Sequence, residues 1–100
     1  MIRIIYKYPG QPPKTLLIQE KPLTIKGLLG GNPKAVSVGK GLVMFINEMG
    51  KTLKMRQNII YGFHRIVGPI IFANVQEGRL DSLTEEQMKE ARDIIGGGDE

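Results

Sequence analysis

Leu42-Val43-Met44-Phe45-Ile46 has no polar position. A strand with one face in water alternates apolar and polar side chains. An unbroken run therefore marks a strand central in a sheet, covered by helix or by a partner subunit. Ala35-Val36-Ser37-Val38 precedes it across Gly39-Lys40-Gly41, the composition of a tight hairpin connection. Ile66-Val67-Gly68-Pro69-Ile70-Ile71-Phe72-Ala73 is again continuously apolar. Pro69 cannot donate to a ladder, so this strand is expected at an edge or with a bulge, and Gly68 fits the bulge.

Outward from these runs, Ile2 to Tyr8 is rich in β-branched and aromatic residues and reads as a strand. Pro9-Gly10-Gln11-Pro12-Pro13 turns the chain, and Lys14 to Ile18 returns as a hairpin partner. Thr24 to Leu29 is expected as a short helix capped by Thr24 and stopped at Gly30-Gly31-Asn32-Pro33. Asn47 to Lys51 reads as a turn, Thr52 to Met55 as a short strand, Arg56 to Arg65 as a long loop, and Gln76 to Asp81 as a polar connection. Thr84 with Gln87 has capping-box spacing, Leu83 and Met88 are placed as a hydrophobic staple, and Glu85 and Glu86 complement the helix dipole. Met88, Ala91 and Ile95 recur at helical spacing as a core stripe, ending at Gly96-Gly97-Gly98.

The fold class is α+β: a single, mostly antiparallel sheet with one short helix and a C-terminal helix packed on one face. With 100 residues there is room for one domain, placed at 1–95, followed by a flexible Gly-rich acidic tail at 96–100. A hydrophobic share of 41% and a charged share of 24% are too apolar for general disorder and too interrupted to span a membrane. Nothing near Met1 has the pattern of a secretory leader, so a cytoplasmic location is expected. Two fully apolar strands and little helix to cover them point to a homo-oligomer.

The chemistry is bounded by what is scarce. Zero cysteines remove thiolate nucleophiles, disulfides and cysteine metal sites, and His64 is the only histidine. Residues 1–75 carry eleven Lys or Arg against Glu20 and Glu48, a net +9. Residues 76–100 carry three against eight acids, a net −5. A body of +9 attracts phosphates, anionic nucleotides or acidic proteins; the alternative is that the acidic end simply offsets it as solvated surface. Neither Gly27-Leu28-Leu29-Gly30-Gly31 nor Gly39-Lys40-Gly41 precedes a long helix as a phosphate loop would, so both read as turns. Lys51, Lys54, Arg56, Tyr61, Phe63, His64 and Arg65 interleave cations with aromatics, which suits phosphates and stacked bases. The plainer reading of that stretch is a long loop anchored by its apolar residues.

Asn47-Glu48-Met49-Gly50-Lys51, a polar stretch with Asn58, Val67-Gly68-Pro69, and Ser82-Leu83-Thr84-Glu85-Glu86 occur here in one order. That order resembles a family of small domains of unknown function encoded by phages and mobile elements, mainly of Gram-positive hosts. The resemblance spans about residues 25–95 and implies no catalytic residues. It implies a setting in which small proteins disable host defence. The expectation is a non-enzymatic protein without cofactor or metal that sequesters an anionic nucleotide signal. Its ligand contacts are placed at Lys40, Lys54, Arg56, Tyr61, His64 and Arg65. The alternatives are a module that inhibits a host enzyme through protein contact, and a small nucleic-acid binder.

Overall fold

The apolar run at 42–46 lies inside the sheet, with a strand hydrogen-bonded on each side. The computed structural model describes residues 1–98. Their elements are β1 (Ile2–Lys7), β2 (Lys14–Ile18), α1 (Pro22–Leu29), β3 (Pro33–Ser37), β4 (Leu42–Asn47), β5 (Gln57–Tyr61), β6 (His64–Val67), β7 (Ile70–Gln76), β8 (Arg79–Asp81) and α2 (Glu85–Gly98). Among the described residues the main sheet has the order β2-β1-β7-β4-β3, with β8 paired to β7, and β5-β6 form a second, two-stranded sheet. Every pairing is antiparallel.

The main sheet buries both faces. Along β7, Ile70 and Phe72 join one core with Ile5, Leu42, Met44 and the α2 stripe Met88, Ala91 and Ile95. Ile71 and Ala73 join the other, with Ile2, Ile4, Ile18 and the α1 residues Ile25 and Leu29. This period of two puts each helix on its own face. The α+β class thus holds, with the helices on opposite faces instead of sharing one. The β5-β6 pair helps α2 cover the first core through Ile59 and Ile66. On the α1 face an open apolar groove of about 650 Å³ remains beside Phe45, Val43 and Leu80.

Several local expectations are corrected. Helix α1 starts at Pro22 with extended Lys21 as its cap, not at Thr24; a proline at the first helical position loses no intrahelical bond and has its φ already set. Residues 52–55 wind as a turn, with Met55 N–H donating to Gly50 O at 2.9 Å, where a strand was expected. The expected loop at 56–65 is mostly the hairpin β5-β6, which pairs Tyr61 with His64. Its two-residue link opens with Gly62 at φ 63, the positive φ that a II′ turn demands at that place. The run 66–73 is two strands, not one, and Pro69 sits between them where no ladder donor is needed. Strand β7 is consequently internal. The polar connection 76–81 is largely β8, reached through a tight turn at Glu77 and Gly78 with both φ values positive.

Helix α2 opens as its capping box predicts. Thr84 N–H donates to Gln87 Oε1 at 3.0 Å, and Gln87 N–H donates to Thr84 Oγ1 at 3.1 Å. The helix continues to Gly98 where an end at Ile95 was expected; glycine weakens a helix interior by about 1 kcal/mol without forbidding its geometry. The expected tail beyond it, Asp99 and Glu100, lies outside the described residues.

Candidate functional site

Three segments meet at one end of the main sheet: the edge strand β3, the turn after β4, and the hairpin β5-β6. Asn47 builds the turn. Its buried amide donates to Leu29 O at 3.1 Å, and its Oδ1 accepts from Met49 N–H at 2.8 Å, a side-chain turn typical of asparagine. Gly50 then packs directly on β6: a Cβ there would stand 3.0 Å from Val67 Cγ2 and 3.3 Å from Asn47 O. That close approach sends Glu48 and Lys51 to the rim. Lys34 on β3 pairs with Ile46 and so shares the face of Val36.

The hairpin completes the site. Ile59 and Ile66 point into the core, so Tyr61, two residues after Ile59, and His64, two residues before Ile66, face the same side. Asn58 pins the hairpin to the main sheet, its buried Nδ2 donating to Lys7 O and Gly68 O, both at 2.8 Å. The result is a cleft of about 490 Å³. Its floor is Val36, Ile46 and Ile66; Tyr61 forms a wall; Lys34, Lys51, His64, Arg65 and Glu48 ring the mouth. Volumes of about 300–1,000 Å³ suit small-molecule ligands. Among the described residues Arg3 and Glu85 form an ion pair at 3.8 Å, and Lys34, Lys51 and Arg65 belong to none.

Of the six residues expected to bind ligand, Tyr61, His64 and Arg65 line this cleft. Lys54 lies across the hairpin in a neighbouring concavity. Arg56 faces away, its guanidinium against Gly10 and a third hollow beside Tyr8 and Leu28. Lys40 sits in the β3-β4 turn at the far end, its carbonyl accepting from Gln87 Nε2 at 3.3 Å. The structure therefore does not bring Lys40 and Arg56 to the others. Lys34, Glu48 and Lys51 were not among the six. A hairpin centred on Lys40 places residue 34 opposite 46, so its register was the signal available for Lys34. Lys7, part of the +9 body, is fully buried at the end of β1 and adds no surface contact.

The cleft brings cations, one carboxylate, one imidazole and one phenol around an apolar floor. Cations hold anionic groups, the phenol ring offers a stacking face, and Glu48 accepts from hydroxyl or amino groups. Among the described residues no cluster of three or more His, Asp or Glu has the arrangement of a metal site, and no helix is long and apolar enough to cross a membrane. Away from the cleft, the ionisation of Tyr6 is shifted. Its phenol, which donates to Leu28 O at 3.3 Å, is raised first by burial and then by the phenol of Tyr8.

The motif residues shared with the family resemblance are mostly structural: Asn47 and Asn58 pin segments, Gly68-Pro69 links the two sheets, and Thr84 caps α2. No curated protein and no solved structure matches the chain. The family model described as "Domain of unknown function (DUF3846)" matches residues 2–96, and the chain belongs to that family.

Proposed function

We propose that the cleft between β3 and the β5-β6 hairpin captures an anionic nucleotide without transforming it. One observation carries this reading: Lys34, Lys51 and Arg65 line one cleft together with Tyr61 and an apolar floor, and none of the three is in an ion pair among the described residues. Three cations against the single carboxylate of Glu48 at a concave mouth favour an anion, and their pull is strongest at low ionic strength. The aromatic wall favours an anion that carries a planar base over bare phosphate. The resemblance to phage and mobile-element domains supports the wider role, an accessory protein that withdraws a nucleotide signal from host defence inside the host cell.

Calorimetric titration with adenosine diphosphate at low and moderate salt tests the reading. Saturable binding that weakens with salt is expected, and Arg65→Ala is expected to lower affinity about tenfold, the size of one hydrogen bond to a charged group. Absence of binding at low salt across adenine, guanine and pyrimidine nucleotides would overturn it, and so would recovery of the nucleotide as a chemically altered product.

A further inference from the structure

Phe63 occupies the second link position of the β5-β6 hairpin and is completely exposed, at 104% of its reference area. Two-residue links normally carry small or polar residues, and a bare phenyl ring held on a short hairpin keeps a large apolar face in water. Beside it, on the outer side of the hairpin, lies a second concavity of about 550 Å³, formed against the 51–55 turn by Lys51, Lys54, Ile60 and Phe63. The two concavities adjoin: Lys51, His64, Arg65 and Val67 line both. The cations therefore stand on the shared wall, with one ring to each side. At no more than about 3.5 Å of backbone per residue, Tyr61 and Phe63 lie within about 7 Å at their Cα atoms, a separation suited to neighbouring nucleotides splayed over two ring faces.

We infer that the site crosses β6 and takes a ligand of two bases joined through phosphate, one base against Tyr61, the other against Phe63, and the linking phosphate at Lys51 and Arg65. This extension rests on reading the cleft as a nucleotide site. Lys54 extends the cationic lining on the outer side, where no Asp or Glu is among the lining residues; Glu48 stands in the inner cleft.

The test compares adenosine monophosphate with the linear dinucleotide pApA, titrated calorimetrically against the full chain and against Phe63→Ala and Phe63→Tyr. A stacked base contributes about 1–3 kcal/mol, which is about a 5- to 150-fold change in affinity. The dinucleotide should bind tighter by a factor in that range, Phe63→Ala should remove the advantage while leaving the mononucleotide unchanged, and Phe63→Tyr should keep it. Because the ring touches solvent, the alanine variant loses no core packing. Equal affinity for the two probes, or an advantage that survives Phe63→Ala, would overturn the extension and leave the single-nucleotide cleft standing. Failure of both probes to bind the unaltered chain would remove the underlying reading and the extension together.

Discussion

Replacing Asn47 by alanine should destabilise the protein far more than its place at the end of β4, just before a surface turn, suggests. The amide donates to Leu29 O at 3.1 Å, and Leu29 is fully buried at the end of α1. That carbonyl is among the last of a helix, with no intrahelical partner of its own, so deleting the donor leaves it unpaired at a cost of about 1–3 kcal/mol. The Met49 N–H, bonded to Oδ1 at 2.8 Å, is only partly buried and recovers water, so its loss costs about 1 kcal/mol. Together the substitution should cost about 2–4 kcal/mol. For a domain of this size each kcal/mol moves the thermal midpoint by about 4–8 °C, so a fall of about 8–32 °C is expected. Urea unfolding followed by circular dichroism should show a lower midpoint with an unchanged slope. Asn47→Asp keeps the acceptor for Met49 but turns a carboxylate toward the Leu29 carbonyl, and should be no more stable than the alanine variant. A loss below about 0.5 kcal/mol for Asn47→Ala would refute the reasoning, because it would mean the turn holds α1 by other means.

Gln87→Ala removes half of the α2 capping box and the 3.1 Å bond from Nε2 to Asn74 Oδ1, and should cost about 1–3 kcal/mol in urea unfolding. Phe72→Ala should cost about 3–5 kcal/mol, since the ring is fully buried at the centre of the sheet. The Tyr6 phenol is raised above the ordinary tyrosine value of 10.0, so its proton is held more tightly in the folded state. Its contribution is complete below that pH and is lost as the pH climbs through the folded value. Ultraviolet titration of phenolate should therefore show a late phase that Tyr6→Phe abolishes. Lys51→Ala should weaken nucleotide binding and also flatten its salt dependence, whereas an equal loss at all salt concentrations would point to a structural effect.

The parts of the fold legible in the sequence were those where one signal dominated. Residues 42–46 had no polar position to blur a buried strand, and residues 83–88 combined staple, cap and charge within one short stretch. The hairpin β5-β6 was hidden because its register shifts between Gln57 and Ile59, which puts Asn58 out of step. Its period of two then survives only from Ile59 to Tyr61 and from His64 to Ile66, and His64 and Arg65 add polarity that reads as loop. The apolar run through Val67-Gly68-Pro69-Ile70 concealed a passage between two sheets, since hydrophobicity alone does not distinguish one strand from two joined by a Gly-Pro link.

The same cause divided the site. Tyr61, His64 and Arg65 come together because they share a hairpin, whereas Lys40 and Arg56 were grouped with them only by charge and sequence proximity. Lys34 needed the β3-β4 register, a non-local fact that composition does not hold. The long-range bonds from Asn47 to α1 and from Asn58 to β1 and Gly68 are likewise invisible as patterns, because a buried amide and a turn amide have the same letter.

The most direct test of nucleotide capture is mass spectrometry of the full chain, native and then denatured, after incubation with a deproteinised nucleotide-rich extract. The account predicts one nucleotide per site in the native spectrum, released chemically unchanged on denaturation and absent from a Lys34→Ala, Lys51→Ala, Arg65→Ala triple variant. A native spectrum without ligand, while a known nucleotide binder loads in the same extract, would contradict it.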